Sequence, residues 1–204
     1  MSTICIIPAR GGSQRIPRKN IKDFHGKPII AYSIEKAQAS GLFSRIIVST
    51  DDVEISKIAK EYGAEVWRRR DPSLVFAGTQ EVVADCINGK GILDYDHVCC
   101  LYATAPLMDV ADLLAGYVIL SGWRGDYVEY VMSAGYPPLQ DAAQFYWGMA
   151  FSFKGGSPLI TKHTRLIHVD ASRVCDINTP EDWARAEQMY EVLNPRYCNP
   201  IGRA

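Results

Sequence analysis

No two of the six cysteines, Cys5, Cys86, Cys99, Cys100, Cys175 and Cys198, are spaced C-x-x-C. That argues against a zinc knuckle. Cys5, Cys99 and Cys100 sit in apolar, strand-like runs and read as buried free thiols in a reducing compartment. Net charge is nearly lacking too. Lys and Arg number 22 against 23 Asp and Glu, for a net charge of -1. No global field therefore attracts nucleic acid or an anionic membrane, and any anion site must come from local clustering. No apolar run could span a bilayer, and no basic segment precedes a long apolar stretch, so the reading is a soluble cytoplasmic protein. There are no repeats and no low-complexity linker. The four histidines, His25, His97, His163 and His168, are scattered without ligand spacing, and each reads as structural or solvated.

What is present is an alternation. The 204 residues are 48% hydrophobic, which is enough to bury a sizeable core. "TICIIPA" reads as a buried first strand, "RIIVST" and "AEVW" as the next two, and "HVCCLY" as a fourth. "YVEYVMS", "GMAFSF" and "LIHVDA" are further strand candidates. Between them, "PIIAYSIEKAQASG", "DDVEISKIAKEYG", "EVVADCINGKGIL" and "VADLLAGYVILSG" read as helices. Asp51 and Asp52 read as caps of the second of these, Asp51 with Glu54 three residues on. The last helix, "TPEDWARAEQMYEVL", has Thr179 as N-cap and Pro180 at its first position, with Trp183, Ala186, Tyr190 and Leu193 on its inward face. The expected fold is therefore α/β: a Rossmann-like, mainly parallel sheet flanked by helices, forming one domain over 1–194 with a fraying tail at 195–204. In such sheets ligands sit beyond the carboxyl ends of the strands. That rule brings the loop after the first strand, "ATAP" and "DIN" to one rim.

The loop has the strongest composition bias in the chain. Residues 9–28, "ARGGSQRIPRKNIKDFHGKP", carry six cations and one carboxylate. The loop matches neither G-x-x-x-x-G-K-[ST] nor G-x-G-x-x-G. Gly11 and Gly12 allow a tight turn that brings N–H groups close to an anion, and Arg10, Arg15, Arg18, Lys19, Lys22 and Lys27 supply charge. Composition alone divides evenly between a polyphosphate cradle and a solvated basic turn. The position directly after a first strand favours the cradle.

"IIPARGGSQRIPRKNI", "IIVSTDDVEI", "LYATAPLM", "DAAQFYWG" and "DINTPEDWARAE" occur in that order. Together they resemble the cytidylyltransferases that activate nine-carbon acidic sugars, relatives of CMP-sialic acid synthetase with a nucleotide-diphospho-sugar transferase fold. "QFYWG" and "TPEDW" point toward the pseudaminic acid branch. The resemblance covers most of residues 1–193. It implies a homodimer that takes CTP and an acidic nine-carbon sugar, uses Mg2+, and produces a CMP-sugar and pyrophosphate. It implies nucleotide binding by Ala9, Arg10, Gly11, Gly12, Ser13, Asn20, Arg70 and Thr79. It implies a sugar side formed by Tyr102, Thr104, Pro106, Gln144, Phe145 and Tyr146, and a metal pair at Asp176 and Asn178, here taken as ending a strand. Arg10, Arg18, Lys19 and Asp176 would be catalytic, because charge grows on the leaving pyrophosphate.

The sequence also departs from that pattern. Gln14 stands where the family usually has lysine. The D-x-D pair reads Asp176-Ile177-Asn178, and a usual insert is reduced to Gln140 between Leu139 and Asp141. These differences keep two alternatives in view: a degenerate nucleotide-binding homologue, and a transferase for sialic, legionaminic or eight-carbon ulosonic acid.

Overall fold

The computed structural model describes residues 1–67, 77–122, 128–135 and 139–195. Arg70, with its expected nucleotide-binding role, and residues 196–204 of the tail lie outside the described residues.

Among the described residues seven strands form the main sheet. They are β1 (Thr3–Pro8), β4 (Arg45–Ser49), β5 (Glu65–Trp67), β6 (His97–Leu101), β7 (Tyr130–Gly135), β8 (Gln140–Met149) and β9 (Thr164–Val169), in the order β5-β4-β1-β6-β8-β7-β9. β1 is central and pairs in parallel with both β4 and β6. Among the described strands β8 alone runs against the others, antiparallel to β6 and to β7, while β7 and β9 are parallel. The sheet is thus mainly parallel, as its alternating pattern implies. β8 is reversed because the connection from β7 is too short for a crossover: Gly135 and Gln140 face each other directly.

The packing of β1 follows from its sequence. Its successive apolar residues alternate between two faces. Cys5 and Ile7 pack with Ile30 and Ile34 of α1 (Ile29–Ala39) and Ile55 of α2 (Val53–Glu61). Ile4 and Ile6 pack with Val83 and Ile87 of α3 (Thr79–Gly89) and Phe153 of α5 (Ala150–Lys154). Leu113 of α4 (Val110–Gly122) covers the α1 side. With both faces covered, the central strand reads as a continuous apolar run.

A third apolar cluster lies beyond the rim of the sheet. Ile16 of the basic loop, Phe24, Tyr32, Leu107, Ile177 and residues Trp183, Ala186 and Tyr190 of α6 (Pro180–Leu193) pack together. Phe24 enters it from a small hairpin, β2 (Asp23–Phe24) and β3 (Lys27–Pro28), whose turn places His25 at φ 50° and Gly26 at φ 89°. Two successive left-handed residues suit the twist of a tight hairpin.

Several expectations are corrected. "GMAFSF" is not a strand: Gly148 and Met149 end β8, and Ala150–Lys154 form α5. The α5 entry is fixed by Ala150 and Phe151 donating to the carbonyls of Asp96 and Asp94, contacts distant in sequence. Leu193 is 38% exposed and does not share the buried face of α6. Asp52, not Asp51, caps α2, accepting from the N–H groups of Glu54 and Ile55 at 2.9 Å each. Residues 174–178 belong to no strand; they run irregularly from a short 3-10 turn at 171–173 into α6. Asp176 and Asn178 therefore do not end a strand.

Candidate active site

A cleft of about 520 Å³ opens at the carboxyl end of β1, within the range of small-ligand sites. Its walls come from the basic loop, the start of α3, the segment after β6, and Asn178. The two sequence-distant walls meet through the third apolar cluster, where Ile16 and Ile177 share a core. Polar contacts then lock the rim. The Lys19 ammonium donates to the Ile177 carbonyl at 2.6 Å, and Arg15 Nη2 donates to Asn178 Oδ1 at 3.0 Å.

The loop is already organised. Asn20 is buried and donates from Nδ2 to the Arg10 carbonyl at 2.9 Å. The Ala9 amide donates to the Ser49 carbonyl at 2.9 Å, extending the sheet by one residue. The Gly11 amide donates to Asp51 Oδ1 at 2.9 Å. This is the contact Asp51 makes in place of capping α2. It corrects the expectation that the Gly11 N–H is free to face an anion. A Cβ on Gly11 would lie 2.6 Å from Asp52 Oδ2, so the glycine is required by close approach to α2. Gly12 has open space around it.

Electrostatics separates the cations. Arg10, Arg15 and Lys19 line the cleft. Burial lowers the Lys19 pKa, and the neighbouring Arg15 and Arg10 lower it further, against an opposing pull from Asp176. Three cations thus crowd one wall, an arrangement that an anion would relieve. Arg18 is elsewhere. It is left-handed at φ 56° and pairs with Asp52 and with Glu54, the latter at 2.5 Å. The Arg18 hydrogen bond, with help from the backbone donors of Ile55 and Glu54, pulls Asp52 down to about 2.

The opposite wall carries Thr79, Tyr102 and Thr104. Thr79 Oγ1 and the Tyr102 hydroxyl are 3.1 Å apart. Tyr102 meets Tyr146 edge to face, with ring centroids 5.7 Å apart. The Tyr146 hydroxyl donates to Asp141. Burial pushes both phenols up, so both remain protonated donors. Tyr146 thus reaches the cleft through Tyr102. Phe145 is core, and Gln144 is buried, donating from Nε2 to the Arg173 carbonyl at 2.7 Å. Pro106 faces a second cavity of about 330 Å³, where its carbonyl and that of Met108 accept from Lys36.

Among the expected residues, then, Arg10, Ser13, Lys19, Asn20, Thr79, Tyr102, Thr104 and Asn178 line one cleft. Ala9, Gly11, Gly12, Arg18, Pro106, Gln144, Phe145, Tyr146 and Asp176 are not among the residues that line it. Sequence reasoning left out Gln14 as a cleft residue, and it missed Lys36 and Asp182. Asp182 Oδ2 accepts from the backbone N–H groups of Asn178 and Thr179 at 3.0 and 2.9 Å. The T-x-x-D spacing of a capping box carried that signal. Lys36 carried none.

Among the described residues no group of three or more His, Cys, Asp or Glu could hold a metal. Asp176 supplies one carboxylate beside the cations, and Asn178 Nδ2 donates to its Oδ2 at 2.5 Å. This donor set suits a hard divalent cation that takes most of its oxygens from phosphates and water.

Comparison with known proteins adds the following. The family model described as Cytidylyltransferase matches residues 4–117. Pseudaminic acid cytidylyltransferases from two strains of Campylobacter jejuni are 36% and 35% identical, and each alignment covers 94% of this chain and 97% of the relative. Those alignments run over 229 positions against 204 residues here, so the relatives carry segments that this chain lacks. A solved structure of CMP:2-keto-3-deoxy-manno-octonic acid synthetase complexed with CTP superposes with a TM-score of 0.75 at 16% identity, covering 96% of this chain and all of that one. The likeness to that structure is one of fold.

Proposed function

The chain belongs to the cytidylyltransferase family, and from that premise we propose that its cleft transfers CMP from CTP to an acidic nonulosonic sugar of the pseudaminic acid class. The observation that carries the reading is the meeting of Arg10, Arg15 and Lys19 with Asn178 across one cavity after β1.

In this reading the acceptor hydroxyl attacks the α-phosphorus. The bond to the bridging oxygen breaks, and pyrophosphate leaves with that oxygen. Negative charge grows on the leaving group, and cations fixed in advance lower the barrier because they need no rearrangement. Lys19 is such a cation, since the Ile177 carbonyl holds its ammonium in place. Arg10 and Arg15 extend the charge along the triphosphate, with Ser13 adding a hydroxyl at the turn. Asn20 acts by holding the Arg10 backbone. Thr79 and Tyr102 present hydroxyls on the facing wall, with Thr104 beside them toward the sugar. Asp176 offers a hard carboxylate oxygen for magnesium, which when bound would neutralise charge on the phosphates, while the Asn178 side-chain oxygen is held by Arg15. The hydroxyl proton goes to water or to the substrate.

The same proposal places a homodimer in the cytoplasm. Five cysteines, Cys5, Cys86, Cys99, Cys100 and Cys175, are free and buried, as suits a reducing compartment. Sedimentation velocity checks the dimer against the 22.7 kDa chain mass.

Incubating the protein with CTP, magnesium and a panel of pseudaminic, sialic, legionaminic and eight-carbon ulosonic acids, while following pyrophosphate, tests the function. Release with pseudaminic acid above the others supports it, and no release with any acceptor defeats it. Gln14 and the amide at Asn178 favour a second reading, a nucleotide-binding homologue without turnover. Calorimetric CTP binding without any CMP-sugar product is its signature.

A further inference from the structure

We propose that Asn178 is a positioning residue for Arg15, holding that guanidinium as a built-in triphosphate cation where the family pattern would supply a second metal carboxylate. The inference rests on the reading of the cleft as a CTP site.

The Asn178 side chain uses both ends. Its Oδ1 accepts from Arg15 Nη2 at 3.0 Å, and its Nδ2 donates to Asp176 Oδ2 at 2.5 Å. Its backbone N–H is tied at 3.0 Å to Asp182 at the start of α6. The residue is therefore fixed from three directions, one of them by Arg15 in the cleft.

An aspartate here could not make the same pair of contacts. It has no proton to donate to Asp176, and two carboxylates at that separation repel unless a cation sits between them. A metal ion is one such cation. With an amide the repulsion is gone, one oxygen is already taken by Arg15, and Asp176 remains the single carboxylate of the pair. The loop shows the complementary change. Gln14 provides no charge where the family usually has lysine, and the adjacent Arg15 reaches the Asn178 amide. The loop has one cation fewer than the family pattern at Gln14, and the rim at Asn178 has one carboxylate fewer. Arginine suits the task because its planar fork binds Asn178 with one nitrogen and leaves others for phosphate oxygens.

Two consequences follow. The cleft holds a triphosphate without a divalent ion more readily than a site with paired carboxylates. A divalent ion that binds then uses Asp176 and the phosphates, without the Asn178 oxygen.

The test is calorimetric titration of the full chain with CTP, in EDTA and in magnesium. Wild type is expected to bind CTP in EDTA. Arg15→Gln and Asn178→Ala are each expected to weaken metal-free binding about tenfold, the scale of a hydrogen bond to a charged group. The double variant is expected to be no weaker than Arg15→Gln alone, because both changes remove one device. Asn178→Asp is expected to move two readouts in opposite directions: metal-free affinity falls, and the gain on adding magnesium grows. A general structural defect would lower both, and melting midpoints compared across the set identify one. If CTP binds with magnesium but Asn178→Ala leaves metal-free affinity unchanged, or the two losses add, the inference is overturned. If CTP binds under neither condition, the functional reading itself falls.

Discussion

At the scale of single residues, the basic loop divides into three cations that line the cleft, Arg10, Arg15 and Lys19, and three that do not, Arg18, Lys22 and Lys27. Lys19 is partly buried and held on the Ile177 carbonyl; Arg18 is bound to Asp52 and Glu54. Lys19→Gln is therefore expected to reduce pyrophosphate release by roughly 10²–10³-fold, the scale of losing one fixed charge at a developing anion. Arg18→Gln is expected to cost less turnover, because its charge is spent on α2; parallel steady-state kinetics compare the two. The Arg18 pair also has an acid signature. Asp52 is held near 2, below its usual value, by Arg18 first and by the backbone donors of α2. A carboxylate with a depressed folded pKa stabilises the fold above its unfolded value and loses that contribution as pH falls toward the folded one. Urea midpoints measured from pH 5 down to pH 2 should drop in wild type, with the Asp52-linked part of the drop missing in Asp52→Asn. That variant should also start lower, because a weaker acceptor sits at the cap.

At the scale of elements, the loop after β6 depends on α1. Lys36 points from α1 to the carbonyls of Pro106 and Met108. Burial brings its pKa down to about 8, with Lys27 and Arg173 adding to the fall and Asp109 and Glu35 opposing it. Between that value and roughly 10.4, the unfolded value of lysine, the unfolded chain holds a proton that the folded chain has released. Stability linked to Lys36 therefore rises with pH across this window. Lys36→Met removes the rise, and the difference in urea stability between wild type and variant should grow from pH 7.5 to pH 9.5. The variant also leaves two carbonyls without their donor, at a cost of about 1–3 kcal/mol. Nothing in "SIEKAQAS" marks Lys36 for this role, since a lysine on an amphipathic helix is ordinarily solvated. The capping box of α6 was different. Thr179 and Pro180 fix the helix start by local chemistry, and that chemistry is readable in the sequence. The α2 cap is legible only as the pair Asp51 and Asp52, because the two are equivalent locally. Only the distant Gly11 amide decides which of them turns away.

At the scale of the whole molecule, the cleft exists because a third apolar cluster joins the loop after β1 to the segment before α6. Ile16 and Ile177 are 4% and 1% exposed within it. Ile16→Ala should cost about 2–5 kcal/mol in a urea titration and should also weaken CTP binding measured by calorimetry, since both walls lose their common support. An equal loss of stability with unchanged CTP affinity would show that the cluster does not set the cleft. The short β7–β8 connection belongs to this scale as well, because it reverses β8 and carries Tyr146 behind Tyr102. By itself the sequence determined the alternation of strands and helices, the two-faced burial of β1, the concentration of cations after that strand, and the family resemblance. Each of these is written in periodicity or composition within a few residues. The tertiary structure alone decided which cations face the cavity, that residues 174–178 lie off the sheet, and that an amide at 178 meets a guanidinium at 15. Those outcomes depend on contacts between segments up to 163 residues apart, and local sequence holds no term for the energy of such contacts.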